Sequence, residues 1–160
     1  MSDSATDDLY GLPLDEFVPA RDALAKRARA EGRGEEAAAI AALRKPSVAA
    51  WAANQAVRSQ PKAARELWAA GDGLLAAHQD VIVRRAGGDA LRAATARHRA
   101  ALRELLAAAS GLLDGRGRGL SATTLERVEA TLYAVSLDAE SREAAEEGRL
   151  EREERRVGAF

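Results

Sequence analysis

Alanine is the residue that most limits what this chain can fold into. It supplies 39 of the 75 apolar residues and leucine 19 more, whereas phenylalanine, tryptophan and tyrosine together number six. Alanine has the highest helix propensity and a small volume, and the β-branched residues that favour sheet are few and scattered. The composition therefore predicts an all-α protein, a compact bundle of close-packed helices around a thin core.

The length and charge distribution predict one domain with charged ends. A chain of 160 residues is one ordinary domain. Residues 1–16 carry five acids and no base, residues 17–137 carry 19 bases and 12 acids, and residues 138–160 carry five bases and eight acids. We expect a disordered acidic N-terminus over 1–8, a single helical bundle over 9–147 and a charged tail over 148–160.

Several classes of protein are disfavoured by composition. There is no cysteine, hence no disulfide framework and no thiolate site. The acidic start is the opposite of a signal peptide, and no run approaches the ~18 apolar residues that a membrane span needs. We expect a cytoplasmic protein that makes no use of a membrane.

Apolar periodicity predicts about five to seven amphipathic helices with short loops marked by glycine and proline. Asp15 is the expected cap of the first long helix, and Pro46 and Pro61 are the expected first positions of two later ones. Within the helix that follows Pro61, Gly71 and Gly73 predict either a bend or the close approach of another helix.

One helix carries a pattern typical of a coiled-coil seam, which could serve self-association or packing within the bundle. Its apolar positions alternate by three and four residues. They are Leu91, Ala94, His98, Leu102, Leu105, Ala109 and Leu112.

The segment 44–47 is the best anion-site candidate. Arg44 and Lys45 precede Pro46 and Ser47 at an expected helix start, where free N–H groups and the positive end of the helix dipole attract anions. Phosphate would suit such a site. The alternative is structural: Pro46 starts the helix, Ser47 supports its first turn and the two cations are solvated.

Trp51, Asn54 and Gln55 follow at spacings of three and four residues and therefore share much of one helix face. An indole beside two amides could stack on and hydrogen-bond a base or a peptide, so these residues are candidates for partner binding. Alternatively, Trp51 fills the core and Asn54 ties a neighbouring segment by bonding its backbone. A third possibility is a small-molecule pocket beneath Trp51.

No catalytic or metal-binding pattern is present. His78 and His98 lie on apolar helix faces, and two histidines do not make a zinc site. Phosphate-binding loops, dinucleotide fingerprints and nucleophile elbows are missing. The run Gly-Arg-Gly-Arg-Gly at 115–119 is either a flexible linker or a fragment of RNA-binding sequence. We expect a protein that is not an enzyme, with no metal and no cofactor.

Three blocks resemble an uncharacterised family of helical proteins from high-GC bacteria. They are the residues LYGLPLDEF at 9–17, ALRKPSVAAWAANQ at 42–55 and GRL at 148–150. The family usually has an ordinary helix residue at the position of Pro19, and it continues differently after Leu150. The resemblance implies a cytoplasmic helical domain and no reaction, cofactor or catalytic residue.

Two functions remain open from sequence. The first is a non-enzymatic protein-interaction or assembly module, with a protein partner or self-association. The second is nucleic-acid binding by the basic body of residues 17–137, because cations around the two proline-marked helix starts could contact phosphates. The residues predicted for this second function are Arg44, Lys45, Arg58, Lys62 and Arg65.

Overall fold

The fold is all-α, as the composition predicts. A computed structural model describes residues 2–85 and 87–155, and this part of the chain forms eight α-helices rather than the five to seven expected. A 3₁₀ turn, Leu14–Glu16, precedes the second helix. The helices are α1 (Ser2–Leu9), α2 (Phe17–Ala30), α3 (Gly34–Ala41), α4 (Val48–Ser59), α5 (Pro61–Arg84), α6 (Gly88–Ser110), α7 (Ala122–Ser136) and α8 (Ala139–Glu146).

The prediction of disorder over residues 1–8 is wrong for the described residues, because Ser2–Leu9 is helical. Two aspartates on α1 pair with one distant cation: Arg149 Nε donates to Asp7 Oδ1 at 2.9 Å and Arg149 Nη1 to Asp3 Oδ1 at 3.2 Å. The composition of the segment by itself favours a disordered chain. Its partner lies some 140 residues away, which local patterns cannot indicate.

The C-terminal segment is also more ordered than the predicted charged tail. Gly148 is buried in a left-handed conformation, with φ +65°. Leu150 is buried in the main core. Residues 148–150 of the predicted charged tail are therefore part of the packed bundle, and residues 156–160 lie outside the described part of the chain.

Helix α4 lies at the centre of the molecule. It packs against α5, α6, α7 and α8. Its alanines are at most 1% exposed, and because a methyl side chain adds little radius, neighbouring helices can approach α4 on several sides. These residues are Ala49, Ala50, Ala52, Ala53 and Ala56.

Capping decides where several helices begin. Ser47, rather than Pro46, begins the α4 structure: its backbone is extended, its Oγ accepts from the Ala50 N–H at 3.2 Å, and Val48 is the first helical residue. Pro61 occupies the first turn of α5 as predicted. Asp15 makes no cap, because a 3₁₀ turn takes up the chain before α2.

The C-terminal part of the predicted seam of α6 packs inside the bundle, whereas its first two positions, Leu91 and Ala94, lie outside the core and are half-buried. Leu102, Leu105 and Ala109 are buried members of the main core, together with residues of α4, α5 and α7. These side chains are therefore unavailable for association with another molecule.

The outer halves of α5 and α6 extend beyond the core as a helical hairpin. The last buried residue of α5 is Leu74 and the first of α6 is His98. We call the segments 75–85 and 87–97 the outer hairpin; none of their residues is buried, and none belongs to the described core clusters. At 1.5 Å per residue the helical parts are about 15 Å long. Near the tip, Ile82 is 68% exposed and Val83 65%.

Of the two glycines predicted to matter in α5, Gly71 permits a close helix approach. A Cβ at Gly71 would lie 2.1 Å from the backbone oxygen of Ser136 in α7, whereas a Cβ at Gly73 would meet only the end of the Arg97 side chain at 3.9 Å. The crossing of α5 and α7 therefore requires a hydrogen atom at position 71.

We expect Gly71→Ala to lower the free energy of unfolding by about 1–3 kcal/mol or more, because α7 must move away from α5. Gly73→Ala is the matched control, and it should be neutral or stabilising by up to about 1 kcal/mol, since alanine favours a helix interior. Urea unfolding measures both. Equal effects of the two substitutions would contradict the close approach.

Candidate functional site

Two of the predicted site residues on α4 hold the chain that follows α1. Trp51 Nε1 donates to the carbonyl of Leu12 at 2.9 Å, and Gln55 Nε2 donates to the carbonyl of Tyr10 at 2.6 Å. Trp51 is 7% exposed. The indole therefore offers no open face for stacking, and the amide of Gln55 already has a partner.

Asn54 holds the C-terminal segment through a pair of hydrogen bonds. Its Nδ2 donates to the Leu150 carbonyl at 2.9 Å, and its Oδ1 accepts from the Leu150 N–H at 2.8 Å. The side chain is fully buried. An unpaired buried amide would be costly, and here both of its polar atoms are satisfied by one backbone residue.

Arg58 joins both terminal segments. Its Nη2 lies 2.8 Å from Asp7 Oδ1, and its Nε donates to the Gly148 carbonyl at 3.1 Å. Hydrogen bonds from Arg58, with a second contribution from Arg149, hold the pKa of Asp7 below its ordinary value. Arg58 is therefore committed to the fold rather than presented to a phosphate.

The start of α4 is likewise engaged within the protein. The Ser47 hydroxyl caps the helix, and the Ser47 N–H donates to the Glu151 carbonyl at 3.1 Å. Arg44 and Lys45 are exposed beside it. At the predicted anion site, Arg44 and Lys45 are therefore open to solvent, whereas the hydroxyl and N–H of Ser47 are already bonded within the protein.

The five residues predicted for nucleic-acid binding do not form one surface. Lys45 and Lys62 lie beyond opposite ends of α4, which is about 18 Å long. Lys62 and Arg65 line a separate depression that also contains Glu66 and Glu104. Since Arg58 is engaged with Asp7, the basic residues are divided between two places.

A groove beside Trp51 brings together three parts of the chain that stood out in the sequence. We call it the Trp51 groove; it has a volume of about 520 Å³ and opens to solvent. Its apolar lining residues are Leu14, Val48 and Trp51. Val48 is 41% exposed there, an unusual setting for a valine at the start of a buried helix. The other lining residues are Asp15, Lys45, Asp114, Gly115, Arg116 and Arg118.

The Gly-Arg-Gly-Arg-Gly run forms an ordered wall of this groove rather than a flexible linker. Asp114 Oδ1 accepts from the backbone N–H groups of Arg116 at 2.8 Å and Arg118 at 2.9 Å. The Asp114 N–H donates to the Arg118 carbonyl at 2.6 Å, and Gly117 supplies the left-handed residue, with φ +74°. The backbone N–H groups of Arg118 and Arg116 keep the pKa of Asp114 below its ordinary value. The carboxylate therefore fixes the loop that presents both arginines.

The loop approaches the 3₁₀ turn across the groove at Gly115. A Cβ at this position would lie 3.3 Å from the side chain of Asp15. This contact brings the α6–α7 loop beside the start of α4. Sequence reasoning identified the loop and Lys45 separately and did not predict that they meet, because no local pattern relates residues some 70 positions apart.

His98 is a structural residue. It is 1% exposed, its Nε2 lies 2.7 Å from Ser136 Oγ, and its ring packs edge-on against Tyr133 with centroids 5.3 Å apart. Because the Ser136 hydroxyl donates to the Tyr133 carbonyl, Nε2 of His98 is the donor in the bond to Ser136. Burial lowers the pKa of His98 below 6.5 and favours the neutral ring.

Within residues 2–85 and 87–155, no cluster of three or more histidine, aspartate or glutamate side chains has a geometry that could hold a metal ion. Nor does any helix in the same residues combine the length and apolar character that a membrane crossing requires.

Comparison with family models, curated proteins and solved structures finds no match to this chain. The resemblance to a helical family of high-GC bacteria therefore stays a prediction.

We expect Asn54→Ala to lower the free energy of unfolding by about 2–4 kcal/mol, because it leaves the Leu150 N–H and carbonyl without partners. Gln55→Ala is the control; it removes one hydrogen bond from a partly exposed side chain and should cost about 1 kcal/mol or less. Urea unfolding gives the free energies, and hydrogen exchange at the Leu150 amide shows whether this segment is released. Unchanged Leu150 protection in Asn54→Ala would contradict the proposed role.

We expect the protein to lose stability as the pH falls from 7.5 to 5, relative to His98→Gln, in which the amide can still donate to Ser136. Below pH 6.5 the unfolded chain takes up a proton at His98 that the folded state, with its lowered pKa, resists. The difference in unfolding free energy should change by at most about 1.4 kcal/mol per pH unit and level off below the folded pKa. Parallel pH profiles for the two proteins would show that the buried ring does not titrate as inferred.

Proposed function

We propose that this protein is a non-enzymatic helical module of the cytoplasm that binds a protein partner or assembles with itself, using the outer hairpin. The observation that carries the proposal is the exposure of Ile82 and Val83 at the end of two helices that extend past the core. Burying one such side chain fully in an interface contributes about 1.5–3 kcal/mol. Two adjacent exposed aliphatic side chains at a projecting tip offer apolar surface that a partner would remove from water.

The surroundings of the tip support a protein contact. Charged residues flank the apolar pair: Asp80 lies 3.8 Å from Arg84, and Asp89 pairs with Arg92. An apolar centre with a polar, charged rim is the usual composition of a protein–protein interface. Since Leu102, Leu105 and Ala109 of the predicted seam are buried in the core, the outer hairpin, which carries the first two seam positions, is the proposed contact surface.

Nucleic-acid binding is the alternative, and it has weaker support. The residues expected to form its surface lie at both ends of α4, and Arg58 is engaged with Asp7 and Gly148. A phosphate-binding surface is more effective when its cations are contiguous, because each neutralised phosphate adds to affinity and to salt dependence.

The test is recovery of the protein from its native cells after nuclease treatment, with sedimentation velocity to measure self-association. We expect a specific protein complex or oligomer that Ile82→Ser with Val83→Ser weakens by about tenfold or more. Leu113→Ser is the matched control, because Leu113 is 59% exposed on the α6–α7 loop, outside the hairpin. It should leave the complex intact.

Two outcomes would overturn the proposal. The first is nucleic acid as the main companion, with every protein lost after digestion and an affinity that falls steeply with salt. The second is a complex that the hairpin variant retains in full while its thermal unfolding matches that of the parent protein. The thermal unfolding curves of the hairpin variant and of Leu113→Ser must both match that of the parent protein, which shows that the substitutions leave the bundle folded.

A further inference from the structure

The Trp51 groove combines an exposed apolar surface with cations that the fold itself does not use. Among residues 2–85 and 87–155, the side chains of Lys45 and Arg116 have no hydrogen bond or ion pair. Arg118 has only a long contact, 3.8 Å from its Nε to Asp114 Oδ2. Three basic side chains are therefore available beside Leu14 and Val48.

The carboxylates in the groove restrict which anion would fit. Asp114, with its lowered pKa, carries a negative charge and accepts two loop N–H groups through Oδ1, and Asp15 lies beside Gly115 of the same loop. A run of phosphates would bring densely spaced negative charge against both carboxylates, since like charges at short range repel. A ligand with separated single charges can reach Lys45 and the arginines while avoiding the two aspartates.

The apolar lining favours a ligand with an apolar side chain rather than a flat base. Trp51 is only 7% exposed, so it offers too little surface for a base to stack on. Val48 presents a branched aliphatic surface next to it. A volume of about 520 Å³ lies within the range of known ligand sites, which is about 300–1,000 Å³.

We propose that the Trp51 groove binds a short acidic segment of a partner protein. One apolar side chain of that segment packs against Leu14, Val48 and the exposed part of Trp51, and carboxylates on either side pair with Lys45 and Arg116. The inference rests on the proposed function in taking the ligand to be a protein. Its site is separate from the outer hairpin, so each can fail without the other.

The test uses the full-length protein, labelled with ¹⁵N, and the capped peptide DELFED as the probe. The reporters are the Trp51 indole N–H and the amides of Gly115 and Gly117, with Trp68→Phe used to assign the indole signals. We expect saturable shifts at these positions, with a dissociation constant of about 10 µM to 1 mM. Two control peptides should bind at least about tenfold more weakly: KKLFKK, in which lysines reverse the charge, and DEGGED, which lacks the apolar side chains.

Charge reversal locates the site. Lys45→Glu with Arg116→Glu should weaken DELFED binding by about tenfold or more, since both charge pairs become repulsive. Lys62→Glu with Arg65→Glu makes the same charge change in the separate depression at the other end of α4 and should alter affinity by less than about twofold. Preserved amide dispersion in both variants shows that they remain folded.

Three results would overturn the inference: no shift at the reporters, equal binding of DELFED and its control peptides, or tighter binding of oligothymidine or pyrophosphate at the same resonances. Ile82→Ser with Val83→Ser should bind DELFED as the parent protein does. If DELFED does not bind while the hairpin-dependent complex persists, only the inference about the groove is wrong. If DELFED binds but no hairpin-dependent complex is found, the inference about the groove holds and the proposal for the outer hairpin is wrong.

Discussion

The buried amide of Asn54 is the interaction on which the closure of this fold depends. Helix α4 is lined with alanine, so several helices can surround it, but alanine offers nothing specific to position the chain ends. Asn54 supplies that specificity because its donor and acceptor match the carbonyl and N–H of Leu150, at 2.9 and 2.8 Å. Both bonds are buried, where losing either partner is expensive. This pair of hydrogen bonds therefore sets where the C-terminal segment crosses α4.

The remaining contacts extend the same arrangement along the helix. Arg58 donates to the Gly148 carbonyl, before Leu150, and the Ser47 N–H donates to the Glu151 carbonyl, after it. The segment therefore runs antiparallel to α4. Arg149 and Arg58 then hold α1 through Asp7. The polar side chains on α4 that resembled a binding site are thus used to bind the protein's own termini. This leaves the surface, rather than the interior of the bundle, as the place where function is to be sought.

The two surface features proposed as contact sites, the outer hairpin and the Trp51 groove, differ in kind. The outer hairpin carries an exposed apolar pair near the tip of a helical extension, which suits it to insertion into a partner. The Trp51 groove is concave and of mixed charge, suited to receiving a segment of one. Because they draw on different parts of the chain, α5 with α6 in one case and the α4 start with the α6–α7 loop in the other, a partner could engage them independently.

The sequence by itself determined the helical class and the helix start at Pro61, and it offered backbone bonding as one of the roles of Asn54, because helix propensity, caps and face periodicity are local properties. It also indicated either a bend or a close helix approach at Gly71 and Gly73, and the structure shows the close approach at Gly71. Only the tertiary structure decided that α1 is helical and that residues 148–150 pack against the bundle, since the partners of both segments lie many residues away in the chain. The same reason applies to Lys45 and Arg116, which line one groove although they are distant in the chain. Local patterns specify what a segment can form, whereas the pairing of distant polar groups depends on how the helices pack around α4.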